Sequence, residues 1–551
     1  MKGLMKKLTI IILLFAASAS ASLFINSFNS GQLGKDLKSR HDLDRTSMGS
    51  EELENILIRP QGMAFKRPGT EFIDTEIAEY GIQIIVTPEV LGDYPTLRAT
   101  TDQADPGLTH TLAISNVTEL QAMNNDKTGN YYLTSDIDAS ATSTWNGGAG
   151  FAPIGPYTND FQLADRFTGT FDGCGYTISD LYINLGTGWN SSLFGCVSSP
   201  AKIANVTLEN VNIIGDNYYT GALVSQVRTY DAGGDVLIQN CHSSGTITSY
   251  DGGMGYFGGL IGSVGIKAGN STSRTYVYDS SSSCTLDMSN ATAYSARGGF
   301  LGNGQFAIIS NCFATGSLTG GDYGDSSIGG FVGNIVQSDL TFCYATGSIE
   351  GGGSYCGGFA GTVSILVNFD SCSATGSIDT STISGGFAGI VSSDGSNACI
   401  FTDYYAWGDV TTPSVVGGFV GSSDDSNTTY TNCYSVGLVT GNTDIGGFGG
   451  NVHVSTNWSD CYWDTETSGN ATTDQNIGTG HTTLWMKTKS NFTDAGWDMD
   501  TIWYQAYTAI NYGDLGGGGG NVRLIPFEFS VSEAYVIEMG HNYLSFFRTV
   551  P

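Results

Sequence analysis

The sequence predicts an all-β fold. It is a right-handed parallel β-solenoid, or β-helix, of 28–32-residue repeats, with a small β-rich head and tail domain formed by the N- and C-terminal segments. Three observations predict it. Gly-Gly-Phe-x-Gly recurs around Phe300, Phe331, Phe359, Phe387, Phe419 and Phe448, at spacings of 31, 28, 28, 32 and 29 residues. A second motif keeps phase with the first and begins at Cys312, Cys343, Cys372, Cys433 and Cys461, with Tyr404-Tyr405-Ala406 in the same position of one repeat. The runs between glycines are short, alternate, and favour Val, Ile, Thr, Tyr and Phe, so they read as strands.

Each part of the motif has a physical reason. Glycine at this density marks tight corners where backbones approach closely. A phenylalanine and a cysteine held at fixed phase should point inward and stack on their equivalents one coil away, about 4.8 Å along the axis. A unit of this size cannot bury its own apolar face and needs neighbours on both sides. The right-handed coil follows the usual preference of parallel crossovers.

Taken in chain order, Met1 to Ala21 carries Lys2, Lys6 and Lys7, an apolar run from Leu8 to Ala17 and then small residues, the order of a secretory leader. Residues 22–83 are mixed in charge, with turn signals at Pro60-Gln61-Gly62 and Arg67-Pro68-Gly69. Residues 84–109 lead in, 110–505 form the repeat array, and 506–521 end in the glycine run Gly516–Gly520, which reads as a linker. Residues 522–551 are strand-like again and are assigned to the same split domain as 22–83.

The composition excludes several function classes. With 22 Lys+Arg against 52 Asp+Glu, the net charge is −30, which argues against a nucleic-acid partner. Residues 110–480 hold seven basic side chains, too few to line a groove for a polyanion. After the leader, no segment is long and apolar enough for a membrane-spanning helix.

The array resembles the GLUG-motif repeats of surface adhesins and some secreted peptidases. Its lead-in (Leu112 to Met123, Tyr132 to Asp138, Phe151-Ala-Pro-Ile-Gly155, Phe167 to Ile178) and its close (Tyr462-Trp463-Asp464 to Trp497-Asp498) match such arrays as well. The resemblance implies a solenoid scaffold. The flanks are similar to tailed-phage nozzle (tail tubular or collar) proteins. The matching residues are Arg40 and Asp42 in Arg40-His-Asp-Leu43, Pro60 and Gly62 in Arg59-Pro-Gln-Gly62, and Arg67, Pro68 and Gly69 in Lys66-Arg-Pro-Gly-Thr70. Arg523 to Ser530 and Ala534 to Gly540 continue the pattern. That resemblance implies a split domain into which the solenoid is inserted, and a ring-forming virion component.

Candidate chemistry is thin. The eleven cysteines form no C-x-x-C pair, and their lock to the repeat phase predicts a buried thiol ladder. The six histidines share no ligand spacing. No nucleophile elbow, zinc-protease helix or phosphate loop occurs. Among the acids, Asp136 with Asp138, Asp424 with Asp425 and Asp464 with Glu466 lie close in sequence and are the candidates for a glycosidase's carboxylate pair, and solvated faces or turn caps are the expected role of each. Calcium in an Asp-rich loop has no complete motif behind it. No catalytic, cofactor or metal residue is expected. Tyr218, Tyr219, Tyr404, Tyr405, Trp407 and Trp463 mix aromatic faces with Asn and Asp, which suits carbohydrate or protein contact.

The sequence therefore leads to a structural or adhesive protein that is not an enzyme. It is expected to be phage-derived and to display its solenoid for surface or glycan attachment. The alternative is a secreted bacterial cell-surface adhesin, and a solenoid carbohydrate-active enzyme comes third. Partners would be a surface glycan or protein, other virion subunits, or further copies in a ring. The protein would be extracellular if the leader is used and in a virion if the nozzle resemblance is functional.

Overall fold

The structure, a computed structural model, describes residues 108–498 apart from short loops, together with strand segments at Ile12–Leu14, Ser22–Phe24, Trp503–Tyr507 and Val522–Pro526. The nozzle-like motif residues Arg40, Asp42, Pro60, Gly62, Arg67, Pro68 and Gly69 and almost all of the leader lie outside the described residues.

The chain is a parallel β-solenoid. Two of its faces are nine-stranded parallel sheets in which the strands follow one another strictly in sequence order, one per coil. One sheet runs from Trp189–Ser191 to Thr443–Gly446, the other from Phe194–Ser198 to Gly449–Val452. Eight steps at about 4.8 Å give a stack roughly 40 Å long. On the third face, short strands such as Thr170–Asp172, Thr177–Ser179 and Tyr182–Asn184 pair with the first of two long strands, Lys202–Gly215 and Val236–Ser249. Further on it breaks into three short strands per coil, such as Ala307–Ser310, Phe313–Ala314 and Leu318–Gly320. Each pairs in parallel with its counterpart one coil on, as Leu340 with Ile309, Tyr344 with Phe313 and Ile349 with Leu318.

The Gly-Gly-Phe corner joins the two nine-stranded sheets. At Gly330 an added Cβ would strike the carbonyl oxygen of Gly358 in the next coil, so the corner admits no side chain. Hydrogen bonding continues through the bend: Phe300 N–H donates to the Phe331 carbonyl (3.0 Å), and Phe331 N–H to that of Phe359 (2.9 Å). The next side chain turns inward. Phe300, Phe331, Phe359, Phe387, Phe419 and Phe448 are all fully buried and form one continuous stack. Neighbouring centroids are 4.8–5.1 Å apart, and the rings lie within 12° of parallel. Phe369, Phe401 and Tyr430 form a second stack that meets the first edge-on, the arrangement favoured by ring quadrupoles.

The cysteine corner is built differently. The residue just before the inward side chain adopts a left-handed backbone, at Asn240 (φ 51°), Asn311 (φ 57°), Asn432 (φ 53°) and Asp460 (φ 51°). Asn and Asp tolerate that region best among side-chain-bearing residues. Their side chains link coil to coil: Asn240 Nδ2 donates to Asn205 Oδ1 (2.8 Å), and Asn311 Nδ2 to Asp279 Oδ1 (2.7 Å). Behind this polar ladder Cys312, Cys343, Cys372, Cys433 and Cys461 are fully buried. Their thiols donate to backbone carbonyls, as Cys312 Sγ to Ser310 (3.3 Å) and Cys433 Sγ to Thr431 (3.2 Å). No disulfide forms among the eleven cysteines. Burial pushes the Cys241 and Cys356 thiols up to about 12.

Helices pack on the first described coil and on the side of the last three. At the first, helix Val117–Ala122 is capped by Asn116, whose side chain accepts from Glu119 N–H (3.0 Å), and it buries Val117 and Leu120. At the last coils, helices Thr483–Met486 and Lys489–Asp494 lay Met486 and Phe492 over Tyr405, Tyr434 and Tyr462.

Candidate functional site

The Ala-Thr-Gly-Ser segments that follow Cys312, Cys343 and Cys372 line an open groove of about 870 Å³ running along the solenoid axis. Its floor is a column of glycines, Gly316, Gly347, Gly376 and Gly408. Any side chain on Gly347 would run into the Gly316 carbonyl, and one on Gly376 into that of Gly347, so the floor is bare backbone by necessity. Its walls are two rows of hydroxyls, Thr315, Thr346 and Thr375 on one side and Ser317, Ser348 and Ser377 on the other.

The register makes these rows regular. The Thr346 and Thr375 N–H groups donate to the Ala314 and Ala345 carbonyls of the coil before, both at 2.9 Å. Like groups therefore repeat at the strand spacing of about 4.8 Å. The six hydroxyls accept and donate no hydrogen bond inside the protein. At one end the column passes from threonine to Trp407, whose indole Nε1 donates to the Tyr434 hydroxyl (2.9 Å). Asp409 is the one charged side chain on the lining.

The aromatic residues read from the sequence as exposed divide into two groups. Tyr218 is exposed, and Tyr219 packs tilted against Tyr256, with ring centroids 5.6 Å apart. Tyr404, Tyr405 and Trp463 are instead buried, which corrects that expectation. Tyr404 points into the core in the place of a cysteine, and Tyr405 lies beneath the C-terminal helices. Trp407 alone of the six lines the groove.

The carboxylate pairs serve the backbone. Asp138 Oδ1 accepts from Ser140 N–H (2.8 Å), the Ser140 hydroxyl and N–H together lowering its pKa, and Asp136 Oδ1 accepts from Thr177 N–H (2.9 Å). Asp464 accepts from Glu466 N–H and from the Thr483 hydroxyl (2.8 Å), and Glu466 accepts from Thr483 N–H, so both anchor the first C-terminal helix.

Sequence reasoning missed the groove. The Thr-Gly-Ser tripeptides are visible in the sequence, but their function as walls and floor depends on which way each residue faces at the corner. It also missed Arg297, a fully buried cation in register with Phe257 on one side and Ile328 on the other, whose pKa burial lowers to about 10.

No family model matches the chain. A 160-residue stretch is 36% identical to halomucin of Haloquadratum walsbyi; it makes up 28% of this chain and only 2% of that protein. Two solved structures are similar at 16% identity and a TM-score of 0.32. One, from Bacteroides ovatus, is named as a candidate immunoglobulin A1 protease and is matched over 71% of this chain and 88% of its own. The other, named IgA1 protease, is matched over 64% of this chain and 21% of its own. Because both names denote an enzyme, the expectation that this chain is not an enzyme is withdrawn. What the chain itself displays is a β-solenoid of about 31-residue coils with a hydroxyl-walled groove along one corner.

Proposed function

We propose that this chain is a GLUG-type adhesive solenoid of a cell surface, and that its groove binds a neutral glycan. The observation that carries the reading is the pair of hydroxyl rows, unpartnered within the protein, that end against Trp407. Hydroxyls at a fixed repeat offer donors and acceptors to a polyhydroxylated chain, and an indole edge offers an apolar stop. A backbone floor lets the ligand approach closely. Charge selects against anionic glycans: the protein carries −30, and no lysine or arginine occurs between Arg297 and Lys487. The stretch that matches halomucin supports a surface setting.

The test is equilibrium binding of the full chain to a panel of neutral and sulfated polysaccharides, repeated with the double variant Thr346→Val/Thr375→Val. Valine keeps the shape and removes two hydroxyls. The expected result is binding to at least one neutral polysaccharide and to no sulfated one, weakened at least tenfold in the double variant. Absence of any neutral binding, or equal binding by the variant, overturns the reading.

A further inference from the structure

The first coil brings together three side chains of different donor chemistry. His110 lies just ahead of the first strand, Leu112–Ile114, while Asp172 ends strand Thr170–Asp172 and Cys174 follows in the turn. His110 Nε2 is 2.7 Å from Asp172 Oδ2. One nitrogen, one carboxylate oxygen and the Cys174 sulfur all lie within 4.8 Å of one another.

The surroundings hold this set in place. Asp172 is 7% exposed, and its other oxygen, Oδ1, accepts from Cys174 N–H (2.8 Å) and from Asn205 Nδ2 (3.0 Å). The carboxylate is therefore fixed from behind, with Oδ2 directed at the histidine. The His110 ring stacks on Tyr132 at 4.8 Å, 21° from parallel. Cys174 sits between Gly173 and Gly175 with φ 51°, a left-handed backbone that cysteine seldom adopts. That turn sets it apart from the other ten cysteines, which are all buried; Cys174 is half-buried.

We propose that His110, Asp172 and Cys174 bind a divalent transition-metal ion of the zinc class. Mixed nitrogen, oxygen and sulfur donors suit a borderline ion and disfavour calcium or magnesium, which take oxygen donors. A thiolate and a carboxylate together neutralise a dication. Three protein donors leave one position of a tetrahedral ion for water. Asn205 is the outer partner that orients the carboxylate, as such groups do around metal ligands. Binding would tie the segment before the first strand to a turn 62 residues further on. It would thereby clip shut the terminal coil, the position where a repeat array most needs a cap.

The test uses the full, reduced chain with Co²⁺ as a spectroscopic probe and Zn²⁺ as its competitor. The expected result is one Co²⁺ per chain, thiolate-to-cobalt charge-transfer absorption, and displacement by one equivalent of Zn²⁺. Cys174→Ser should remove the charge-transfer band. His110→Ala, at an exposed position, should weaken binding at least tenfold. Absence of stoichiometric binding by the unaltered chain overturns the proposal. So does a charge-transfer band that persists in Cys174→Ser, or an affinity unchanged in His110→Ala.

Discussion

Tyr404 stands in parallel register with Cys433, so a phenol ring fills the interior place that a thiol holds one coil further on. The ring meets Phe387 at 5.2 Å and 62°, and Phe369 at 6.1 Å and 82°, which makes it part of the aromatic core. Its hydroxyl is buried without a hydrogen-bond partner, and burial raises its pKa well above the ordinary phenol value. Tyr404→Phe should therefore stabilise the protein by about 1 kcal/mol, by removing an unsatisfied buried group while keeping the ring. A urea titration checks this: the midpoint should rise with the slope unchanged.

Phe359 lies between Phe331 and Phe387, with 4.8 Å to each. Phe359→Ala should cost roughly 3–5 kcal/mol, since it empties a fully buried site and breaks the stack in its middle. Phe448 stacks on Phe419 alone in this ladder, so Phe448→Ala should cost less. Denaturant unfolding of the two variants side by side reads the difference.

The floor and walls of the groove should respond to mutation in opposite ways. Gly347→Ala forces a methyl group against the Gly316 carbonyl and should destabilise by about 1–3 kcal/mol. Thr346→Val, on the neighbouring wall, should shift stability by no more than about 0.5 kcal/mol. Thermal melts of both variants test the distinction.

His242 carries a pH dependence. Its ring contacts the Ser281 hydroxyl (2.8 Å) and Asn240 Oδ1 (3.2 Å), and burial lowers its pKa to about 4. The unfolded chain, with a value near 6.5, takes up the proton first as pH falls. The stability contribution is thus complete above about pH 6.5 and is lost as pH falls towards about 4. Because the side chain is only partly covered, the loss should be on the order of 1–2 kcal/mol. Unfolding free energies measured between pH 7 and 4 should fall less steeply in His242→Gln.

The parts of this fold that were legible in the sequence are those where one residue type is forced at a fixed phase. Phe331 and Gly330 could be read because a corner without room for a Cβ and an inward ring recur together in six successive coils, from Phe300 to Phe448. The left-handed column was half visible. Asn311 and Asn432 announce it, but Phe342 and Ser371 hold the same backbone with no compositional sign, since the stacked coils impose their conformation. The covering of Tyr405 was not legible. It depends on helices of four and six residues, too short to show an amphipathic period. The His110, Asp172 and Cys174 cluster could not be found by spacing, because 62 residues separate the histidine from the aspartate and only stacking brings them together.

The glycine floor has a further consequence. Each of its residues abuts the backbone carbonyl of the coil beside it, Gly316 that of Cys284, Gly347 that of Gly316 and Gly376 that of Gly347, so the same contact repeats from coil to coil. Duplication or loss of one whole coil would leave every remaining wall and floor contact intact. It would change only how many hydroxyl pairs stand in line. The groove is in this sense a ruler, and gene-level gain or loss of single repeats is a means of setting its length without redesigning its shape.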